Sequence, residues 1–305
     1  MRVRILGSAA GGGFPQWNCG CEPCRLARAG SPRVRPRTQD SIAVSADGER
    51  WFLLNASPDI HRQIAETPAL HPRQRRHSPI AGVVLANGDL DHTLGLFSLR
   101  ESHPLTLFAT DRVHRGLVEH NALMRTLARF PGQLTAHRLE LDRELALVGP
   151  DGAPSGLTIT ARAVAGKPPV HLVGTYPPSP EDNVALFVRQ PPGRAIAYAS
   201  AAAALDDALL AAFADCAVVF FDGTFWSSDE LPAGGLGKAR AEDMAHLPID
   251  GPGGSLERLR RLDGPRRFYT HVNNSNPLLV EDSPEHRAVT GAGIELAFDG
   301  LELEI

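Results

Sequence analysis

Apolar residues gather along the chain in short runs at 41–45, 51–55, 80–86, 105–109, 156–164, 183–188, 194–199, 216–221, 266–270 and 293–298. Alternating or continuous runs of this length predict β-strands, and Met1–Gly7 predicts one more at the start. Helical spacing falls between them at about 58–66, 92–100, 111–129, 203–214, 253–262 and 283–290. There is no long linker, and no repeat at the periods of roughly 20–50 residues that mark stacked arrays. This order predicts an α/β fold of two sheets flanked by helices, with 1–305 as one domain. The segment 165–182 is rich in proline and glycine and reads as a loop over a site.

Composition narrows the class. With 305 residues and 43% hydrophobic content, the chain can bury a sizeable core. A formal net charge of −4 argues against a nucleic-acid partner. Two basic clusters, Arg33/Arg35/Arg37 and Arg73/Arg75/Arg76, read as solvated loops able to receive an acidic partner. The chain opens on a strand rather than a secretion signal, and no segment suits a bilayer span, so a cytoplasmic protein without a membrane role is expected. In that setting four cysteines point to reduced thiols or metal rather than a disulfide framework.

Three of those cysteines crowd into Asn18-Cys19-Gly20-Cys21-Glu22-Pro23-Cys24. Cys19 and Cys21 are too close in sequence to pair easily, whereas three thiolates on a tight turn suit structural zinc. The fourth ligand must come from a distant loop, as an imidazole, a carboxylate or an amide oxygen. Cys216 lies in an apolar run and reads as core.

A second group of polar residues sits where strands end. The run 80–86 leads into Asn87-Gly88-Asp89-Leu90-Asp91-His92, the run 216–221 ends in Asp222, and the run 266–270 ends in His271. Side chains at strand ends line the rim of a sheet, where ligands bind. Carboxylates with imidazole suit iron, manganese or zinc, although an aspartate before a helix also serves as an N-cap. His246 is a candidate for proton transfer, with Asp222 the other catalytic candidate. His171 and Lys167 face either substrate or solvent. The glycine-rich loop 7–15 lacks the residues of a nucleotide-binding motif, and no Gly-x-Ser-x-Gly elbow is present.

Longer stretches carry a resemblance over the whole chain. Gly7 through Cys24, Asn55-Ala56-Ser57-Pro58-Asp59, Asp91-His92 with Gly95-Leu96, Asp222-Gly223-Thr224-Phe225-Trp226, Gly251-Pro252-Gly253-Gly254 and His271 through Pro277 resemble the PqqB family of pyrroloquinoline quinone (PQQ) biosynthesis proteins. The resemblance implies the metallo-β-lactamase fold, an αββα sandwich. The superfamily's His-x-His-x-Asp-His motif falls on Asn87, Asp89, Asp91 and His92, so both leading histidines are absent. Asp222 takes the place of the bridging aspartate and His271 that of the last histidine, and a mononuclear site is implied. By analogy with a related phosphodiesterase branch, Asn274, three residues after His271, is implied as the fourth ligand of the cysteine zinc.

The resemblance also implies a role in building PQQ from a precursor derived from glutamate and tyrosine. The leading expectation is an iron(II)-dependent oxygenase that uses dioxygen to hydroxylate the tyrosine ring, with zinc as the alternative metal. Asp89, Asp91, His92, Asp222 and His271 would supply its ligands, and Arg37 or Arg100 would hold substrate carboxylates. A carrier that transports PQQ or its precursor and a metal-dependent hydrolase are the alternatives. The sequence is compatible with a homodimer and does not fix the oligomeric state.

Overall fold

The computed structural model describes residues 1–305. Fourteen strands form two seven-stranded sheets. The first sheet is built from β1 (Arg2–Gly7), β2 (Ser41–Ser45), β3 (Trp51–Leu54), β4 (Ile80–Val84), β5 (Leu105–Ala109) and β6 (Leu134–Arg138). The second contains β7 (Glu144–Val148), β8 (Pro154–Ala163), β9 (Val184–Arg189), β10 (Ala195–Ala199), β11 (Val218–Asp222), β12 (Arg266–Thr270) and β13 (Glu295–Leu296). The last strand, β14 (Glu302–Glu304), returns to pair with β1 at the edge of the first sheet.

The sheets face each other across a core of 25 buried residues, among them Ile5, Phe52, Phe108, Tyr198, Phe220 and Phe268. Strands buried on both faces need nearly continuous apolar runs, which is what β4 and β11 show. Two further clusters seat helices on the outer faces. Val113, Leu117 and Leu127 pack against the first sheet, and Leu209, Phe213, Leu259 and Val289 against the second. The layers are therefore helix, sheet, sheet, helix, in agreement with the expected αββα sandwich.

Several expected elements are shorter or broken. The helix expected over 92–100 is a four-residue turn, Leu90–Thr93, followed by a 3₁₀ segment, Leu94–Leu99. Gly95 explains the close fit there, because a Cβ at that position would lie 2.1 Å from the Ser57 carbonyl oxygen. The helix expected over 111–129 splits into Asp111–His120 and Met124–Leu127, with Asn121 extended between them. Cys216 is buried as expected but precedes β11, its thiol donating to the Ala212 carbonyl at 3.5 Å.

Topology decides where the polar strand ends meet. β10, β11 and β12 run parallel, as do β3, β4 and β5, so the carboxyl ends of each set open on one edge. A buried polar bridge ties the two sheets beneath that edge. Asn55 donates to the Tyr198 hydroxyl at 2.9 Å, Tyr198 donates to Asp40, and Thr270 donates to Asp40 at 2.5 Å. Burial pushes the Asp40 carboxyl up to about 6. No helix is long and apolar enough to cross a membrane.

Candidate metal centre

The segment after β4 carries Asp91 and His92 into the space between the sheets, and the residue after β12 brings His271 to meet them. One ligand atom from each lies within 4.8 Å of the others. His271 Nε2 is 3.1 Å from Asp91 Oδ2, and His92 Nε2 is 4.0 Å from the same oxygen. Ligands around one ion at about 2.0–2.1 Å stand roughly 3–3.4 Å apart, so small side-chain adjustments close this set on a cation. His271 adopts φ 55°, a left-handed conformation rare for a residue with a Cβ, and strain of this kind clusters at functional sites.

Neighbouring groups fix each ring. The Asp89 amide donates to Asn87 Oδ1 at 3.0 Å, which sets the orientation of that side-chain amide. The same oxygen lies 2.7 Å from His92 Nδ1, so the imidazole must donate there. His92 Nε2 is then left as a lone pair, and it is buried with no hydrogen-bond partner. A buried unpaired acceptor facing a carboxylate and a second imidazole suits a metal ligand. On the other side, the Thr224 hydroxyl donates to Asp222 Oδ1 at 2.6 Å and accepts from His271 Nδ1 at 2.8 Å, leaving His271 Nε2 for Asp91.

Asp222, His246 and His271 form a second trio within the same 4.8 Å limit. His246 Nδ1 donates to Asp222 Oδ2 at 2.6 Å, and the His246 and His271 rings stack with centroids 5.6 Å apart. Asp222 is wholly buried, and the Ala202 amide also donates to its Oδ2 at 2.9 Å. His246 thus stands among the ligand-type side chains, beside Asp222 and His271.

The electrostatics follow from this crowding. Burial works against an ionised Asp91, yet His92 and His271 hold its carboxyl well below the usual range. Burial also works against a charged His271, and the Asp91 hydrogen bond overcomes it, raising the imidazole to about 9. His92 moves the other way, to about 4, chiefly through burial.

Asp89 stands apart from both trios. It occupies the N-cap position of Leu90–Thr93, but its side chain makes no capping hydrogen bond. Burial, with Asp91 nearby, pushes it up to about 6. The structure therefore places Asp89 beside the ligands rather than among them. Lys167 donates to the Asp243 carbonyl at 3.2 Å and adds positive charge near Asp89, whereas His171 is exposed. Pro169 covers Gly88, so part of the 165–182 loop does roof the site.

The arginines expected to bind substrate carboxylates lie elsewhere. Arg37 is buried, and its Nη1 donates to the Ser8 hydroxyl at 2.9 Å and to the Ala297 carbonyl, so it ties the loop after β1 to the carboxyl-terminal segment. Arg100 lies beyond the amino-terminal end of β5, away from the metal centre.

The cysteine trio forms a separate site. Cys21 caps the helix Glu22–Arg28, whose buried Cys24 packs in a small cluster with Phe14 and Val272. Cys19, Cys21 and Cys24 bring their sulfurs within 4.8 Å of one another. The loop after β1 pairs with the segment after β12, Val272 donating to Ser8 at 3.0 Å, and this seam delivers Asn274 to the sulfurs. Its side-chain Nδ2 donates to Cys24 Sγ at 3.4 Å and to Cys21 Sγ at 3.6 Å, and the Cys21 thiol donates to the Asn274 backbone carbonyl at 3.4 Å. Burial pushes the Cys21 thiol up to about 12, whereas Cys19, though burial opposes it, is lowered by its hydrogen bond from the Cys21 amide. Three sulfurs suit zinc, while Asn274 meets them through its side-chain nitrogen, so here it hydrogen-bonds the thiols rather than presenting the amide oxygen expected as the fourth ligand.

Sequence reasoning overlooked the roles of Asn87 and Thr224. The signal for both was present, since each adjoins a ligand in a quoted motif, but only the fold shows which ring each side chain holds.

Comparison with known proteins identifies the fold and the family. The beta-lactamase superfamily domain matches residues 50–272. Coenzyme PQQ synthesis protein B of Stutzerimonas stutzeri is 43% identical over 309 residues, covering 100% of both chains. Its counterpart from Gluconacetobacter diazotrophicus is 44% identical, covering 98% of each. Among solved structures, Zn(2+)-bound PqqB from Methylobacterium extorquens superposes with a TM-score of 0.90 at 40% identity, covering 100% of both chains. A diphosphatase of the PhnP family shares the fold at 21% identity, with a TM-score of 0.67. The chain has the metallo-β-lactamase fold and belongs to the coenzyme PQQ synthesis protein B family.

Proposed function

We propose that this protein is a metal-dependent oxygenase that hydroxylates the tyrosine-derived ring of a glutamate–tyrosine precursor during PQQ biosynthesis. The observation that carries the reading is the trio of Asp91, His92 and His271, two imidazoles and one carboxylate, with His92 Nε2 buried and unpartnered. Two histidines and one carboxylate with open positions are the donor set of non-haem iron oxygenases, whereas the leading histidines that hold paired zinc in hydrolases are replaced by Asn87 and Asp89. The zinc carried by the Methylobacterium extorquens protein supports metal binding by this chain as well.

A ferrous ion held by these residues would activate dioxygen. Hydroxylation of a ring carbon by dioxygen also consumes two electrons and two protons and releases water, so a reductant belongs among the partners. The chain's own contribution is orientation and proton handling. Asn87 and Thr224 lock the rings of His92 and His271 through their Nδ1 atoms. The His246–Asp222 pair, joined at 2.6 Å, can accept at His246 Nε2 the proton that the ring carbon releases as aromaticity is restored. The cysteine trio with Asn274 is a zinc staple that ties the loop after β1 to the segment following His271.

Ferrous protein prepared without oxygen should convert the precursor only when oxygen and a reductant are admitted. His271→Ala should abolish the conversion while leaving the fold intact by circular dichroism. Tight binding of the quinone or its precursor without conversion would replace this reading with that of a carrier.

A further inference from the structure

A large cavity lies away from the metal centre. Ile80 and Leu105, the first residues of β4 and β5, line it, and its volume is about 1050 Å³. The metal centre follows the opposite, carboxyl end of β4. A five-residue strand at about 3.3 Å per residue puts roughly 16 Å between the two. The cavity is at the upper end of the size range of small-ligand sites, roughly 300–1,000 Å³.

Its lining is strongly cationic. Arg76 comes from the loop before β4, Arg100 from the turn before β5, and Arg125 and Arg129 from the helix Met124–Leu127 and the residues just after it. His61, His77 and His103 add three imidazoles. Against four arginines there is one carboxylate, Glu101, which stands 3.9 Å from Arg100 with both side chains largely exposed. Arg76, Arg125 and Arg129 form no ion pair, although arginines elsewhere on this surface commonly do, as in Arg33–Asp282, Arg35–Glu281 and Arg266–Glu295. Three chain segments therefore converge like charges on one concavity without neutralising them. Such an arrangement raises the local positive potential and draws in multivalent anions. The planar guanidinium fork matches carboxylate and phosphate oxygens two at a time.

We propose that this cavity is a second ligand site, separate from the metal centre, that binds a small polyanion carrying several carboxylate or phosphate groups. Titration calorimetry on the full-length, metal-loaded protein tests it, with trimesate, a planar tricarboxylate that chelates metal weakly, and inorganic phosphate as probes. Saturable binding of one equivalent is expected for at least one probe, and the better probe tells carboxylate from phosphate. The doubly substituted Arg125→Glu, Arg129→Glu protein should lose at least tenfold in affinity. Arg76→Ala, on a different segment, should lose several-fold, which keeps the test decisive if the double variant fails to fold. Arg143→Glu, outside the cavity, should bind as the parent does. No saturable binding of either probe, or equal affinity in the parent and the Arg76 variant, would overturn the proposal.

Discussion

Asn87 Oδ1 accepts the His92 Nδ1 proton at 2.7 Å, and this one contact decides which nitrogen of His92 faces the metal centre. Asn87 occupies the first position of a motif that is usually a histidine, so a position expected to ligate instead orients a neighbour. Partners of this kind are typically worth about 10–100-fold in metal affinity. Asn87→Ala should weaken ferrous or zinc binding by that order, read by chelator competition, with little change in the melting temperature of the metal-free protein.

The cysteine site should behave as part of the fold. Cys21→Ser should lower the zinc content by about one equivalent and reduce the melting temperature, because binding energy at a structural zinc is folding energy. Asn274→Ala should have a smaller effect of the same sign. Elemental analysis beside thermal denaturation checks both, and unchanged zinc in the Cys21 variant would remove the site from the account.

Gly95 lies where the chain after His92 passes the Ser57 carbonyl, with no room for a Cβ. Gly95→Ala should cost on the order of 1–3 kcal/mol in urea denaturation, as overpacking does.

Glu230 ties two loops together, accepting from Ser275 at 2.5 Å and from the Trp226 amide at 2.6 Å. Burial outweighs these contacts and pushes its carboxyl up to about 7. An acid raised above its unfolded value near 4.5 stabilises the fold fully below that value and loses the contribution as pH rises towards 7. Stability should therefore fall across roughly pH 4.5–7 in the parent, and Glu230→Gln should flatten that fall by on the order of 1 kcal/mol. Denaturation midpoints measured across the window check it.

Much of this architecture was legible in the sequence because the buried strands write it plainly. β4, β5, β10 and β11 are largely apolar runs and β12 turns apolar and buried after its two arginines, with ligands following β4 and β12 and closing β11. Three strands were not foreseen. β6, Leu134–Arg138, is a mostly exposed edge strand, β7 alternates at the edge of the second sheet, and β14 has three residues. Edge strands bury little, so their composition says little.

The site divides in the same way. Asp91, His92, Asp222 and His271 were readable from their strand-end positions, and the cysteines from their spacing. The place of His246 was not, because it lies on an irregular segment whose position depends on the Asp222 hydrogen bond and on Leu247 donating to Ala202. Asp89, which looked like a ligand beside Asp91, lies near Asp91, His246 and His271 but outside both ligand trios. Arg37 looked free from its basic neighbours, yet the seam between β1 and the carboxyl-terminal segment buries it.

The most direct test of the oxygenase reading follows the oxygen atom. Ferrous protein, the glutamate–tyrosine precursor and a reductant are mixed under isotopically labelled dioxygen, and the product is examined by mass spectrometry. The account predicts a labelled oxygen on the tyrosine-derived ring, and none when Asp91 or His271 is replaced by alanine. Unlabelled product, or product formed equally well without dioxygen, would contradict it.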